Sequence, residues 1–129
     1  MTDRPALLHT VLDAEDPREL ADFYAELLGL KFRDHDDEDW LVLVDDAGRQ
    51  VLAFQRVSSL KRSTWPDPAV PQQLHLDLTV PTIGALYENR RGAEALGATL
   101  LLDRSEDEEE PLYVFADPAG HPFCIMVRG

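Results

Sequence analysis

Cysteine is almost absent from this chain of 129 residues: Cys124 is the only one. A single thiol forms no intrachain disulfide, and nothing in the cysteine usage asks for an oxidising compartment. Basic residues are scarce as well. Twelve Lys and Arg face 25 Asp and Glu, a net charge of −13. A chain this acidic is not drawn to phosphate backbones or anionic lipid, so neither nucleic acid nor a membrane is an expected partner. Long apolar runs are missing too. The first thirty residues hold no uninterrupted one. No stretch approaches the ~20 residues of a membrane-spanning helix. The expectation is a soluble, cytoplasmic protein without a signal peptide. Hydrophobic residues make up an ordinary 44%, which suits one domain with a real core.

The clearest pattern is Gln73 to Val80. Leu74, Leu76, Leu78 and Val80 alternate with His75, Asp77 and Thr79, which predicts a strand with one face in a core. Residues 7 to 13 predict a similar strand, with His9, Val11 and Asp13 on one face. A helix follows. Asp16 can cap it, Pro17 suits the first helical position, and Glu19 completes a capping box. Leu20, Phe23, Tyr24, Leu27 and Leu28 form its apolar stripe, and Gly29 ends it. Strands are predicted from Lys31 to Arg33, Trp40 to Val44 and Val51 to Val57. The acidic run 34–39, with His35 inside it, reads as a solvated turn.

Prolines 66, 68 and 71 forbid a regular helix in residues 58–72, which read as an extended connection. Then the order of elements recurs. Thr82 can cap a helix running to about Leu96, with Ile83, Leu86, Tyr87 and Ala93 inward. Gly97 ends it. Strands follow from Ala98 to Leu102, Leu112 to Ala116 and Phe123 to Arg128, with acidic residues 103–110 between the first two. His9 recurs as His75 after 66 residues, Gly29 as Gly97 after 68, and Gly48 as Gly120 after 72. The fold class is α+β, a β-α-β-β-β unit used twice. Repeat one covers about 1–57, the linker 58–72 and repeat two about 73–129. Neither half is large enough to bury its own sheet and helix well. One domain of cupped mixed sheet with helices outside is the expected result.

Several polar and aromatic residues sit where a cleft would use them. Asp77 shares a strand face with His75, and Asp13 with His9. A carboxylate that orients an imidazole makes an acid/base pair, so His75 and Asp77 are the candidate catalytic residues. Trp40, Trp65 and Tyr113 are candidate aromatic walls. Trp65, in a proline-stiffened loop, has the least reason to be core. Gln55 joins the ligand-binding set with Asp13 if the fourth strand is shifted by one.

Three stretches carry a family resemblance. They are Asp16 to Tyr24 running into Leu27-Leu28-Gly29-Leu30, Trp65-Pro66-Asp67-Pro68 leading into Gln72 to Asp77, and Asp117-Pro118-Ala119-Gly120-His121-Pro122-Phe123. In that order they resemble the vicinal oxygen chelate (VOC) superfamily of glyoxalase I, bleomycin-resistance proteins and extradiol dioxygenases, and within it the glyoxalase-like actinobacterial branch. The resemblance implies a pocket cupped by the two repeats and a divalent metal bound by residues of their first and last strands. His9 and His75 fall on first-strand ligand positions. The last-strand position, usually glutamate, is Cys124, and its counterpart four residues after Gly48 is Leu52. His121 belongs to the family's turn motif and reads as structural.

His9, His75 and Cys124 are therefore the candidate metal ligands. Two imidazoles and a thiolate favour zinc over magnesium. His9 and His75 are expected to approach each other across a cleft, with Cys124 beside them and Trp65 near the mouth. Two functions compete. One is a glyoxalase-like lyase, isomerase or dioxygenase acting on a small oxygenated metabolite. The other is a non-catalytic, drug-binding protein of the bleomycin-resistance kind. The partner is a small molecule in either case, and the resemblance implies a homodimer.

Overall fold

The computed structural model describes residues 3–128. The chain divides after Ser59 into two compact units. The first holds β1 (Thr10–Ala14), α1 (Pro17–Leu28), β2 (Lys31–Phe32), β3 (Trp40–Val44) and β4 (Gln50–Arg56). The second holds β5 (Leu76–Val80), α2 (Ile83–Ala95), β6 (Thr99–Arg104), β7 (Leu112–Ala116) and β8 (Pro122–Val127). Each unit has one four-stranded mixed sheet, in the orders β1-β4-β3-β2 and β5-β8-β7-β6. In each, the first strand runs parallel to the last and the hairpin strands run antiparallel. This is the α+β arrangement of two β-α-β-β-β modules. No helix among the described residues is long and apolar enough to cross a membrane.

Helix α1 begins as its sequence dictates. Asp16 accepts a hydrogen bond from the Glu19 amide at 3.2 Å, and Pro17 occupies the first turn. Leu20, Phe23 and Tyr24 are buried, and Tyr24 stacks on Phe54 of β4 at 6.1 Å. Helix α2 is capped by Thr82, which accepts from the Ala85 amide at 3.1 Å. Only part of its expected inner face is inward. Leu86 and Ala93 are buried, whereas Ile83 and Tyr87 are 41% and 45% exposed. At about 100° per residue, Leu86 and Ala93 point almost the same way, while Ile83 and Tyr87 lie on one flank. Arg90 takes the nearer edge, its guanidinium 5.1 Å from the centre of the Tyr113 ring.

The acidic turn before β3 is less wet than its composition suggests. Asp36 accepts from Arg33 Nη2 at 2.6 Å and from the Val42 amide at 3.0 Å, which ties the turn to the sheet.

The strand registers reveal a difference between the units. Leu43 pairs with Leu52, yet Val44 pairs with Gln50, so Val51 is an extra residue in β4. In the second unit Phe115 pairs with Phe123 and Ala116 with Pro122, without interruption. The bulge moves every later equivalence by one. Ala53 is thus the register counterpart of Cys124, because it pairs with Val11 on β1 and Val42 on β3 as Cys124 pairs with Asp77 and Val114. Leu52 is not: it packs on the helix side with Leu12 and Phe54, all buried.

The proline-rich stretch is more than a connection, since Leu60 onward belongs to the second unit. Residues 63–70 close on themselves. The Thr64 amide donates to the Val70 carbonyl and the Val70 amide to Thr64 Oγ1, both at 2.8 Å. The Trp65 amide donates to Ser63 Oγ at 3.1 Å, and the Trp65–Pro66 bond is cis. Arg62 straps this segment to the β7–β8 turn by donating from Nη1 to the Pro118 carbonyl at 2.8 Å.

Gly120 makes that strap possible. Its φ is +95°, and a Cβ there would lie 2.7 Å from Arg62 Cβ. Gly48 has φ +82° with nothing within 4 Å of the same position. Gly120→Ala is therefore expected to cost more stability than Gly48→Ala. The left-handed backbone accounts for roughly 1–3 kcal/mol in each, and the excess measures the Arg62 contact. Equal losses in chemical denaturation would show that Arg62 yields without cost.

Candidate functional site

Each unit carries a cluster of its own around its first-strand histidine. In the second unit His75 stands immediately before β5 and Asp77 lies within it. Period-2 geometry puts the two on one face. The parallel pairing of β5 with β8 sets Cys124 opposite Asp77. One His75 ring nitrogen, one Asp77 carboxylate oxygen and Cys124 Sγ lie within 4.8 Å of one another. The His75 Nε2 to Asp77 Oδ1 distance is 3.3 Å, with the side chains 43% and 55% exposed.

Beside them is a cavity of about 90 Å³ lined by Trp65, Gln72, His75, Val114, Pro122 and Cys124. Trp65 is half-buried. It packs with Cys124, Leu101 and Leu102 on a cluster of Leu112, Val114 and Met126. The closed 63–70 loop thus sets Trp65 at the cavity while its side chain packs on that cluster. Burial pushes the Cys124 thiol up from its ordinary 9.0 to about 11, helped by the charge and hydrogen bond of Asp77 and then by the charge of Glu110. The metal-free site therefore holds a protonated thiol at neutral pH. That makes Cys124 a poor nucleophile.

In the first unit His9 stands before β1 as His75 stands before β5. Its Nδ1 is 2.9 Å from Gln50 Oε1, and its ring centre is 5.9 Å from that of Trp40. Asp13 and Gln55 are exposed and pair across β1 and β4, and Gln55 pairs in turn with Trp40 on β3. Strand β4 spans 50–56 rather than 51–57, and this register puts Gln55 on the Asp13 face. The positions equivalent to Asp77 and Cys124 are Val11 and Ala53, so among the described residues the three-donor group is found in the second unit.

Tyr113 does not line the His75 cavity. It is 3% exposed, pairs with Ile125 on the helix side of the sheet, and lies beneath Arg90. The His121 amide donates to Asp117 Oδ1 at 2.9 Å. His35 is exposed, with φ 69°, and stands outside the three-donor group.

Gln50, Gln72, Val114 and Pro122 were not among the site residues expected from the sequence, although Gln72 and Pro122 stand in stretches that carry the family resemblance. Gln50 had a usable signal, two residues past the turn glycine Gly48. Gln72 had only its place in the stretch that follows Trp65-Pro66-Asp67-Pro68, which does not say where the side chain goes.

A family model described as a glyoxalase-like domain matches residues 9–126. No curated protein matches the chain. Solved structures that resemble it share the fold at low identity. A glyoxalase/bleomycin resistance protein/dioxygenase family enzyme from Burkholderia phytofirmans superposes with a TM-score of 0.72 at 17% identity, over 93% of this chain and 96% of that one. The fosfomycin resistance protein FosX from Listeria monocytogenes, in a mutant form with Mn(II) and 1S,2S-dihydroxypropylphosphonic acid, gives 0.73 at 16% identity, over 98% and 93%. FosX from Mesorhizobium loti gives 0.71 at 12% identity, over 98% and 95%. Two β-α-β-β-β modules and a family match over nearly the whole length leave one conclusion: the chain belongs to the glyoxalase-like domain family of the VOC superfamily.

Proposed function

We propose that the chain binds a small, oxygen-bearing organic molecule at the His75 cavity of its second unit and acts on it as a glyoxalase-like lyase or isomerase. The supporting observation is the convergence there of an indole, a side-chain amide and an imidazole–carboxylate pair around about 90 Å³. That volume holds one functional group, such as a carbonyl or a diol, and not a whole metabolite, which needs several hundred Å³. Gln72 and Trp65 would fix the group. His75 would move a proton at the ligand, with Asp77 holding the ring in orientation. FosX, one of the proteins sharing the fold, was solved with a phosphonate diol, which suits the oxygen-rich class of ligand. A second reading, a non-catalytic drug-binding protein, draws support from Cys124. A thiol stands where the family usually has a carboxylate.

The experiment is a titration of tryptophan fluorescence with small hydroxycarbonyls, diols and bleomycin, on wild type and His75→Ala. We expect His75→Ala to weaken the best ligand about tenfold or more, as loss of a hydrogen bond from a charged or polar anchor does. Unchanged affinity would remove His75 from the site. NMR of the bound ligand over time separates the two readings. Conversion supports the lyase or isomerase, and an unaltered ligand supports the binding protein.

A further inference from the structure

We propose that Arg62 is a positioning residue for the His75 cavity: it latches the self-closed 63–70 loop to the β7–β8 turn, holds Trp65 and Gln72 in place as one wall, and opens the cavity to solutes when it lets go. The consequence for a ligand rests on the binding proposed above. The latch itself does not, because its contacts are internal to the second unit.

The loop is a body in its own right. Besides the paired bonds between Thr64 and Val70, Thr64 Oγ1 donates to the Asp67 carbonyl at 2.9 Å. The Asp67 amide donates to the Thr64 carbonyl and the Ala69 amide to Asp67 Oδ1, both at 2.8 Å. Prolines 66, 68 and 71 stiffen the backbone further. Bonds that close a loop on itself do not fasten it to its surroundings. Two side chains do that. One is Trp65, which packs on Leu112, Val114 and Met126. The other is Arg62.

Arg62 reaches two successive carbonyls of the β7–β8 turn. Its Nη1 donates to that of Pro118 at 2.8 Å and its Nη2 to that of Asp117 at 3.4 Å. A planar guanidinium spans such a pair, whereas a single ammonium does not. The stem of the side chain lies over Gly120, where a Cβ would come 2.7 Å from Arg62 Cβ and 2.8 Å from Cγ. The turn thus makes room for the arginine by having no side chain there.

The same turn leads into β8, which brings Pro122 and Cys124 to the cavity. Arg62 therefore ties the lining residues of the loop, Trp65 and Gln72, to those of the strand. Beyond Gln72 the chain is held again where β5 begins at Leu76. With both ends fixed, the wall stands before a ligand arrives, and binding is spared the cost of ordering it. Without Arg62 the loop hangs on Trp65 alone.

The test reads access to the cavity through Cys124, which lines it, by its alkylation with iodoacetamide at fixed pH under native conditions. Arg62→Ala should raise the rate about tenfold, the change in a local opening equilibrium expected from loss of a charge-assisted hydrogen bond. Arg62→Lys keeps one of the two bonds and should raise it only about threefold. Gly120→Ala disturbs the same contact from the other side and should also speed the reaction, while Gly48→Ala should not. Arg56 is the control. It is likewise exposed and donates to the Glu15 and Glu38 carbonyls of the first unit, so Arg56→Ala should leave the rate in place. Trp65 emission, read in a Trp40→Phe background, should move to the red in Arg62→Ala and quench more readily with acrylamide. A merely structural role would lower Tm and move neither signal in the folded protein. Far-ultraviolet circular dichroism confirms that each variant is folded. Alkylation of folded Arg62→Ala at the wild-type rate, or an equal rise in Arg56→Ala, would overturn the proposal. Titrations with the hydroxycarbonyls and diols tell its failure from that of the ligand reading. Faster alkylation in Arg62→Ala with no ligand bound by wild type upholds the latch and removes the ligand. A bound ligand with unaltered alkylation removes the latch alone.

Discussion

In metal-free protein, Cys124 should react with iodoacetamide about a hundredfold more slowly at pH 8 and below than an ordinary cysteine of the same accessibility. The thiolate is the reactive species, and each unit of pKa is a factor of ten in its abundance. Burial, reinforced by the Asp77 carboxylate, pushes this thiol from 9.0 to about 11. The sign is fixed by the charge of the product. Losing the proton creates an anion in a half-buried place beside another anion, so the neutral form is favoured. The rate should rise about tenfold per pH unit above pH 8 and bend over near pH 11, where half the thiol is ionised. For the same reason the folded state is favoured while the thiol is neutral, and that contribution fades as pH climbs from about 9 to 11. Asp77→Asn removes the charge but leaves the burial, so it should move the inflection only part of the way down. The position of the inflection is the useful reading, since it separates acidity from steric access. An inflection at 9.0, the ordinary value, would refute the environment described for Cys124.

Asp117→Ala is expected to destabilise the protein by about 2–4 kcal/mol. Asp117 is fully buried, and it stands in the turn that delivers β8 and Cys124. Its Oδ1 accepts from the Ala119 amide at 3.0 Å and the His121 amide at 2.9 Å. Alanine leaves both amides without that acceptor in a place poorly reached by water. For a chain of this size the loss corresponds to a fall of roughly 8–16 °C in Tm. Asp117→Asn keeps an oxygen at the same position and should cost less than half as much. Thermal unfolding that fails to distinguish the alanine variant from wild type would show that the turn stands without its carboxylate.

The parts of this fold that were legible in the sequence are those governed by local periodicity. Alternation along β5 is reproduced in its burial, with Leu76, Leu78 and Val80 half-buried and Asp77 and Thr79 exposed. The cap and stripe of α1 were equally plain, because capping is a matter of three or four adjacent residues. Tertiary register was harder. Ile83 and Tyr87 are apolar and correctly spaced for a helix, yet sheet contact centres on Leu86 and Ala93, and polar Arg90 packs closer than either. The Val51 bulge is a fact of hydrogen bonding and leaves no mark in composition. Counting from the turn glycine therefore paired Cys124 with Leu52, while the strands pair it with Ala53. Of the candidate site, His75 and Asp77 were readable as neighbours on one strand. Cys124 joined them through the family resemblance, which implies a last-strand ligand four residues after the turn glycine Gly120. The cavity itself was not readable, since Trp65 and Gln72 reach it only after Thr64 and Val70 close the loop.

The one-residue bulge at Val51 also sets the terms for any transplant between the halves. A designer who counts along the chain would copy the three-donor group by replacing Val11 and Leu52. Leu52 is 3% exposed among Leu12 and Phe54, so a thiol there would be sealed on the wrong side of the sheet, out of reach of His9. Following the hydrogen bonds instead, Val11→Asp with Ala53→Cys sets a carboxylate and a thiol opposite one another on β1 and β4, on the face that carries His9. The first unit is two substitutions from a His, Asp and Cys group like that of the second, provided the copyist reads the ladder and not the ruler.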